Sequence, residues 1–455
     1  MSNCSHTDYL SISSWNVNGL GQKHREDMFL ESITKHDINI LLETWKGDCP
    51  DVKIPDYYSF NKCRTKKKKA RRNSGGIIVY IKNKIKRGVE YLNNITSSQN
   101  RVWLKLEKTF FGLADDIYLC GIYIPPLSSP HYDNEYQNLE YEISILSTKG
   151  KIMLMGDFNS RISTYPDFIV DDEDNDKLSH ILPDNYKADF NLLRKSQDRV
   201  YNSQGKDLLD LCASAQLRIL NGRFIGDILG NMTCVNKRGS SVVDYTITSE
   251  SLLSSVKYFI VENLTHFSDH SQLVTYLNCK FRTCEIQNQY QKQDFSFKWT
   301  ESSKQILEQE LMNPYICEKI MKLENSSFEK SLDGVNLANK MISDIYIDLS
   351  TKCMKKKYFK KKRKKFKSPW TDSEFLSLRS SVRTLSNKMK LSPFDQTVRL
   401  QFFYLSKKLK RAAKFKRKEY KKNILLKLSN LSPKESKEFW KILKSIKGND
   451  DRCDD

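Results

Sequence analysis

KIMLMGDFN (residues 151–159) runs apolar from Ile152 to Met155, then stops on Gly156, Asp157 and Asn159. A short apolar run bounded by a polar turn reads as a buried strand. A bare carboxylate at its end needs a reason, because taking an unpaired charge out of water is costly. The reason proposed by the pattern is a site: a rigid strand presents its last side chains at the edge of a sheet. Similar endings recur nearby. YLSISSWNV (9–17) carries Asn16, INILLET (38–44) carries Glu43, and IYLCGIYIPP (117–126) carries Tyr123. Asp244 lies in SVVDYTIT (241–248), and Asp269 and His270 stand at the start of HSQLVTYL (270–277). One polar ending says little, but a series of them in one region is a pattern.

The same region, 8–280, holds further strand patterns at 74–82, 101–108, 217–223 and 256–263. Helical patterns are fewer: 22–35, 134–148 and 205–216. Many strands with few helices predict an α/β fold of stacked sheets flanked by helices, rather than one doubly wound sheet. The eleven cysteines among 455 residues form no CxxC pair, which favours a reducing setting, nuclear or cytoplasmic, over secretion. No apolar run approaches bilayer length, so no membrane partner is expected.

The charge of +21 is concentrated. Residues 351–430 hold 27 Lys and Arg against 4 Asp and Glu, while the rest of the chain holds 49 against 51. This divides the chain into a near-neutral body (1–280), a helical linker region (281–350) and a basic helical extension (351–455). Such an extension suits a polyanion: DNA, with RNA as an alternative for the tail. FSFKWTESSKQILEQEL (295–311) and 327–349 look helical, and MKKKYFKKKRKKFK (354–367) is a basic cluster compatible with a localisation signal, a nucleic-acid patch or a linker. Apolar residues then recur from Phe375 to Met389 and from Val398 to Ala412, with Pro393 between, which predicts a helical hairpin capped at Thr371 and Glu374. A third helix is expected over 432–448. KCRTKKKKARRNSGG (62–76) reads either as a solvated loop or as a finger on a phosphate backbone, and DDEDND (171–176) as a solvated loop.

The residues at the strand ends define a chemistry. Magnesium takes oxygen ligands, keeps waters and is held by one or two carboxylates plus substrate phosphate. Glu43 is the leading ligand candidate, with Asp157, Asp244 and Asp269 as further carboxylates, Asn16, Asn18 and Asn159 as amides, and one histidine, His270. That set fits phosphodiester hydrolysis, in which water is deprotonated and added charge is stabilised. The signatures GxSxG, GxxxxGK[ST], HExxH and GxGxxG do not occur.

In order along the chain, SWNVNG (14–19), LLET (41–44), GIYIPP (121–126), GDFN (156–159), SVVDYT (241–246) and FSDHS (267–271) resemble the endonuclease/exonuclease/phosphatase superfamily. That superfamily includes AP endonucleases, DNase-I-like nucleases and the endonuclease domains of LINE-type retrotransposons. The resemblance implies a four-layer α/β sandwich and a divalent ion, Mg2+ or Mn2+. It further implies that Asn16, Glu43 and Asp269 serve the metal end and that Tyr123 contacts the scissile phosphate. Asp157 then orients or deprotonates water, with Asn159 beside it. Asp244 holds His270, and His270 binds the phosphate. Between Asp157 and His270 as base, Asp157 is favoured. Asn18 stands where AP endonucleases usually carry Asp, which shifts the resemblance toward the retrotransposon branch. Asn18 and the loop residues Lys66, Lys67, Lys68, Lys69, Arg71 and Arg72 are the expected nucleic-acid contacts. The basic tail is similar, more loosely, to the connector that precedes reverse transcriptase in such elements, so a truncated element product or a host gene derived from one is expected. The expected activity is nicking of one DNA strand to leave a 3′-hydroxyl. A decayed nucleic-acid-binding protein and a phosphatase of small phosphoesters are the alternatives.

Overall fold

The computed structural model describes residues 4–47, 52–66, 73–169, 192–284, 295–358, 369–430, 439, 440 and 442. Contacts divide the chain into two compact units, Met1–Glu285 with Phe366–Asp455, and Ile286–Lys365.

The first unit is built on two sheets of six strands each. In the first sheet the strands are β1 (Cys4–Asn16), β2 (Ile38–Leu42), β3 (Tyr57–Lys62) and β4 (Ile77–Lys82), joined at the far edge by β13 (Val256–Val261) and β14 (Leu273–Cys284). Their order is β13-β14-β1-β2-β4-β3. The second sheet uses β5 (Val89–Tyr91), β6 (Arg101–Leu106), β7 (Ile117–Tyr123), β8 (Lys151–Asp157), β9 (Leu217–Ile219) and β12 (Asp244–Ser249), ordered β5-β6-β7-β8-β12-β9. Between them in sequence, β10 (Cys234–Val235) and β11 (Ser240–Ser241) form a small ribbon. Each large sheet has one parallel pair, β1 with β2 and β7 with β8, and is otherwise antiparallel.

The sheets stack through Leu10, Ile12, Ile40, Val79 and Leu42 of the first against Val102, Leu104, Leu119, Met153 and Met155 of the second. On the outer face of the first sheet, α1 (Asp27–Thr34) buries Phe29 and Ile33 against Trp15, Leu41 and Tyr80. On the outer face of the second, α3 (Glu135–Ser147) and α4 (Ser203–Ser214) bury Leu139, Ile143, Leu208 and Leu211 against Cys120, Ile152, Leu154 and Tyr245. A short turn of helix, α2 (Lys108–Phe111), follows β6. The central strands are covered on both faces, which is why they read as apolar runs rather than alternating ones. The predicted layered α/β sandwich is the observed fold.

Residues 366 onward differ from the expected separate extension. Helices α8 (Ser373–Leu391) and α9 (Gln396–Ser429) form the predicted hairpin, and its apolar side, Phe375, Val382, Met389, Phe402, Leu409 and Ala413, is part of the core cluster that contains Leu264. An apolar face of this size is stable only when covered. The hairpin is also tied to 261–264 by polar contacts: Ser386 Oγ donates to the Leu264 carbonyl (2.5 Å), Lys390 Nζ to the Val261 carbonyl (2.6 Å) and Asn263 Nδ2 to Asn387 Oδ1 (2.8 Å). Its cap is Asp372, whose carboxylate accepts from the Phe375 N–H at 2.9 Å, one residue later than predicted.

The second unit contains α5 (Ser303–Leu311), α6 (Pro314–Glu324) and α7 (Leu332–Cys353), packed around Ile316, Ile345 and Leu349. Two sequence readings change here. β15 (Phe295–Lys298) is a strand where a helix was expected, and it pairs with β16 (Lys355–Tyr358), the start of the basic cluster. Alternating Phe295-Ser296-Phe297 fits a strand better than a helix. The rest of that cluster, the acidic run 171–176 and most of the helix expected over 432–448 lie outside the described residues. Among the described residues no helix is long and apolar enough to cross a membrane.

Candidate active site

The parallel pairs explain why distant residues meet. Parallel neighbours end at the same sheet edge, so Asn16 at the end of β1 and Glu43 just after β2 share one rim. Tyr123 and Asp157 are register partners at the ends of β7 and β8. Asp244 opens β12 directly opposite Asp157. His270 precedes β14, which runs antiparallel beside β1 and so delivers its leading loop to the same edge. Asp244 is therefore the first residue of its strand rather than an interior one.

Gly156 is required by the packing. A Cβ there would lie 1.8 Å from the Ile122 carbonyl oxygen of β7, a separation no side chain tolerates. Three site residues, Asn18 (φ 44°), Glu43 (φ 53°) and Asn159 (φ 50°), adopt left-handed backbone. Asparagine does this readily, but for Glu43 it costs on the order of 1–2 kcal/mol. Strain at the leading ligand candidate is what a site held by its surroundings shows. Those surroundings are visible: the Trp45 N–H donates to the Gly75 carbonyl (2.8 Å), the Thr44 N–H to the Gly76 carbonyl (3.1 Å), and the Trp45 indole to the Glu43 carboxylate.

Two hydrogen-bonded pairs join the sheets. Asn16 Nδ2 donates to Asp157 Oδ2 at 2.9 Å, and Asp157 Oδ1 accepts from the Asn159 N–H at 3.0 Å. His270 Nδ1 lies 2.9 Å from Asp244 Oδ2, 3.1 Å from Asp244 Oδ1 and 4.0 Å from Asp157 Oδ2. Asp157 and Asp244 are each 2% exposed, so their charges are not screened by water. Burial, then the neighbouring Asp244 carboxylate, pushes the Asp157 carboxyl up to about 7, against the pull of His270, Asn16 and Asn159. Burial opposes charge on His270, but Asp244 and Cys234 hold its imidazole well above its ordinary value. Shifts of this kind, from burial and close charge partners, recur at catalytic centres.

The other predicted residues occupy the margin of this network. Asn18 Nδ2 donates to Asp269 Oδ1 at 2.8 Å, both at least partly exposed. Asn159 Nδ2 is committed to the Ile124 carbonyl (2.8 Å), so its amide N–H2 braces the loop. Burial, then Glu43 and Asp157, raises the Tyr123 hydroxyl, which stays protonated beside Glu43. Glu43 falls outside the two compact groups of possible metal ligands among the described residues, Asp157–Asp244–His270 and Cys234–Asp269–His270. A lone, partly exposed carboxylate still fits a hydrated hard cation, which keeps most of its waters. Lys66 is exposed at the start of the basic loop; Lys67, Lys68, Lys69, Arg71 and Arg72 lie outside the described residues.

Several residues escaped the sequence reading. Arg64, at the stem of the basic loop, lies 5.5 Å from the Tyr123 ring and donates to Asn100 Oδ1. Its position inside a cationic run hid it. Ser268 Oγ donates to the Asn16 carbonyl (2.6 Å), and Trp15 Nε1 to the His270 carbonyl (2.8 Å), fixing the loop that bears His270. Hairpin cations reach the same loop: burial, then Lys410 and Arg379 of the hairpin, Lys23 before α1, and Arg417 of the hairpin, lowers the His266 imidazole to about 3. Arg417 pairs with Glu26 at 2.8 Å and stacks over Trp370.

A two-sheet sandwich whose shared rim joins buried carboxylates to a histidine suits the hydrolysis of ester bonds. Residues 117–274 match the family model described as endonuclease-reverse transcriptase. Over those residues, about a third of the chain, it is similar to that family, in keeping with the resemblance read from its motifs. No curated protein matches it. Among solved structures, the AP endonuclease of Leishmania major is 12% identical, over 60% of this chain and 88% of that one, with a TM-score of 0.44. The catalytic domain of Xenopus laevis APE2 is 16% identical over 61% and 94%, with a TM-score of 0.42. The endonuclease domain of TRAS1, a telomere-specific non-LTR retrotransposon, is 16% identical over 59% and 98%, with a TM-score of 0.38.

Proposed function

We propose that this protein is a divalent-metal-dependent DNA endonuclease of retrotransposon origin that nicks one strand and leaves a 3′-hydroxyl. The observation that carries the reading is the pairing of Asn16 with Asp157 and of Asp244 with His270 across one rim. Asp157, with a carboxyl raised toward neutrality, takes a proton from the attacking water. His270, held cationic by Asp244, donates to a non-bridging phosphate oxygen as charge builds there. Tyr123, protonated beside Glu43, is a second donor to the phosphate. Water forms the new P–O bond as the bond to the 3′ oxygen breaks, and that oxygen takes a proton from solvent to become the 3′-hydroxyl. The group that fits Glu43 is Mg2+ or Mn2+, which when bound neutralises the phosphate and the departing oxygen. The basic loop and hairpin hold the flanking DNA backbone.

The test is supercoiled plasmid incubated with the full chain, with Mg2+ or with chelator, followed by a polymerase and labelled nucleotide. Nicking that needs the metal and yields directly extendable ends is expected. Plasmid bound but never nicked would favour a binding protein instead. Release of phosphate from soluble phosphoesters with intact plasmid would favour a phosphatase.

A further inference from the structure

Cys234 is a buried side chain at the rim that the hydrolytic chemistry does not use. It is set opposite His270 by an isolated antiparallel bridge. Two backbone hydrogen bonds flank the pair, Val235 N–H to the Asp269 carbonyl (2.8 Å) and Ser271 N–H to the Thr233 carbonyl (2.7 Å). That pattern makes Cys234 and His270 a non-hydrogen-bonded pair, the kind whose side chains stand closest on one face. The sulfur, an imidazole nitrogen and an Asp269 carboxylate oxygen all lie within 4.8 Å of one another. Cys234 is 9% exposed, while Asp269 and His270 are partly open to solvent.

A thiolate, an imidazole and a carboxylate are a borderline-soft donor set. It suits Zn2+, which takes sulfur at about 2.3 Å and nitrogen at about 2.0 Å, with three protein ligands and one open position. Magnesium, an oxygen-seeking ion, has no use for the sulfur. The set also shares His270 with the hydrolytic network, so the two uses of that imidazole exclude one another.

We infer that Cys234, Asp269 and His270 form a site for a thiophilic divalent cation of the Zn2+ or Cd2+ class, and that its occupancy silences the enzyme by taking His270 from the phosphate. The inhibitory half of this inference rests on the endonuclease reading; the binding half does not. On binding, the Cys234 S–H and the His270 imidazolium each lose a proton to solvent, and the sulfur–metal and nitrogen–metal bonds form with no change of oxidation state.

The experiment measures Zn2+ binding to the chelator-treated full chain by equilibrium dialysis, for the wild type and for Cys234→Ser. The wild type should hold one more tight equivalent, and the variant should bind that ion at least tenfold more weakly. Equal stoichiometry and affinity would overturn the site. A second measurement needs no variant: Zn2+ should slow alkylation of Cys234, read by peptide mass spectrometry, and an unchanged rate would overturn the site independently. In the nicking assay with Mg2+ held constant, half-inhibition of the wild type should need at least tenfold less Zn2+ than that of Cys234→Ser, and equal inhibition would overturn the silencing. Zinc binding lost in Cys234→Ser, with no nicking by either protein, would uphold the site while refuting the endonuclease reading.

Discussion

The two sheets contribute to one rim in different ways. The second sheet supplies Asp157 and Asp244, both buried, and Tyr123, whose hydroxyl is held protonated. The first supplies Glu43 and, from the loop before β14, Asp269, both partly exposed. The difference suits the task that the proposed reading gives each. Proton transfer near neutral pH needs a carboxyl lifted out of its ordinary range, which burial and a like charge achieve. A hydrated cation needs a carboxylate that water can reach. Asn16 and His270 cross between the halves, to Asp157 and Asp244.

The largest effect expected is on turnover. Asp157→Ala and His270→Ala should each lower metal-supported nicking by about 10³-fold or more without unfolding the protein, because each removes a group acting in the transition state. Glu43→Gln should behave otherwise: its loss should be partly recovered by raising Mg2+, as for a weakened metal site. Recovery of Asp157→Ala by Mg2+, with none for Glu43→Gln, would reverse the roles assigned to the two sheets.

Asp244→Asn should produce a pH-dependent deficit. Asp244 is the main group that holds His270 in its charged form, so the variant's imidazole falls back toward its ordinary value of about 6.5. Activity that needs the imidazolium is then present below that value and lost as pH rises through it. The deficit should be small near pH 5.5 and reach about 10²-fold near pH 8. A deficit of the same size at every pH would mean that Asp244 acts only by packing.

The smallest expected effect is on stability. Because the Asp157 carboxyl is raised in the folded chain, the native state binds more protons than the unfolded one between about pH 4 and 7, and stability falls as pH rises through that window. In chelator at pH 8, Asp157→Asn should therefore raise Tm by about 2 °C or more, with the gain vanishing below pH 4. Glu43→Gln, at a partly exposed position, should shift Tm little. A lower Tm for Asp157→Asn would contradict the claim that this charge is held at a cost.

The sheets and their rim were legible because each motif joins a strand pattern to a polar ending. KIMLMGDFN and INILLET show both the element and the side chain it presents. The hairpin was legible only in part. Its period from Phe375 to Met389 predicts a helix, but no local signal says that Val382 and Leu409 share a core cluster with Leu264, since that contact joins segments more than a hundred residues apart. Cys234 was hidden for a similar reason: it meets His270 through a single isolated bridge, and bridges leave no periodicity. Phe295–Lys298 was misread because its short alternation was absorbed into the longer helical pattern that runs on to Leu311.

The central claim is that Asp244 and His270, delivered from different sheets, act as one device. A double-mutant cycle tests it: single-turnover nicking rates at pH 8 for the wild type, Asp244→Asn, His270→Ala and the double variant. The account predicts that the double variant is no slower than His270→Ala alone, because at pH 8, above the Asp157 value of about 7, the effect of Asp244 that matters for the rate is its hold on the imidazole. Losses that multiply would contradict it.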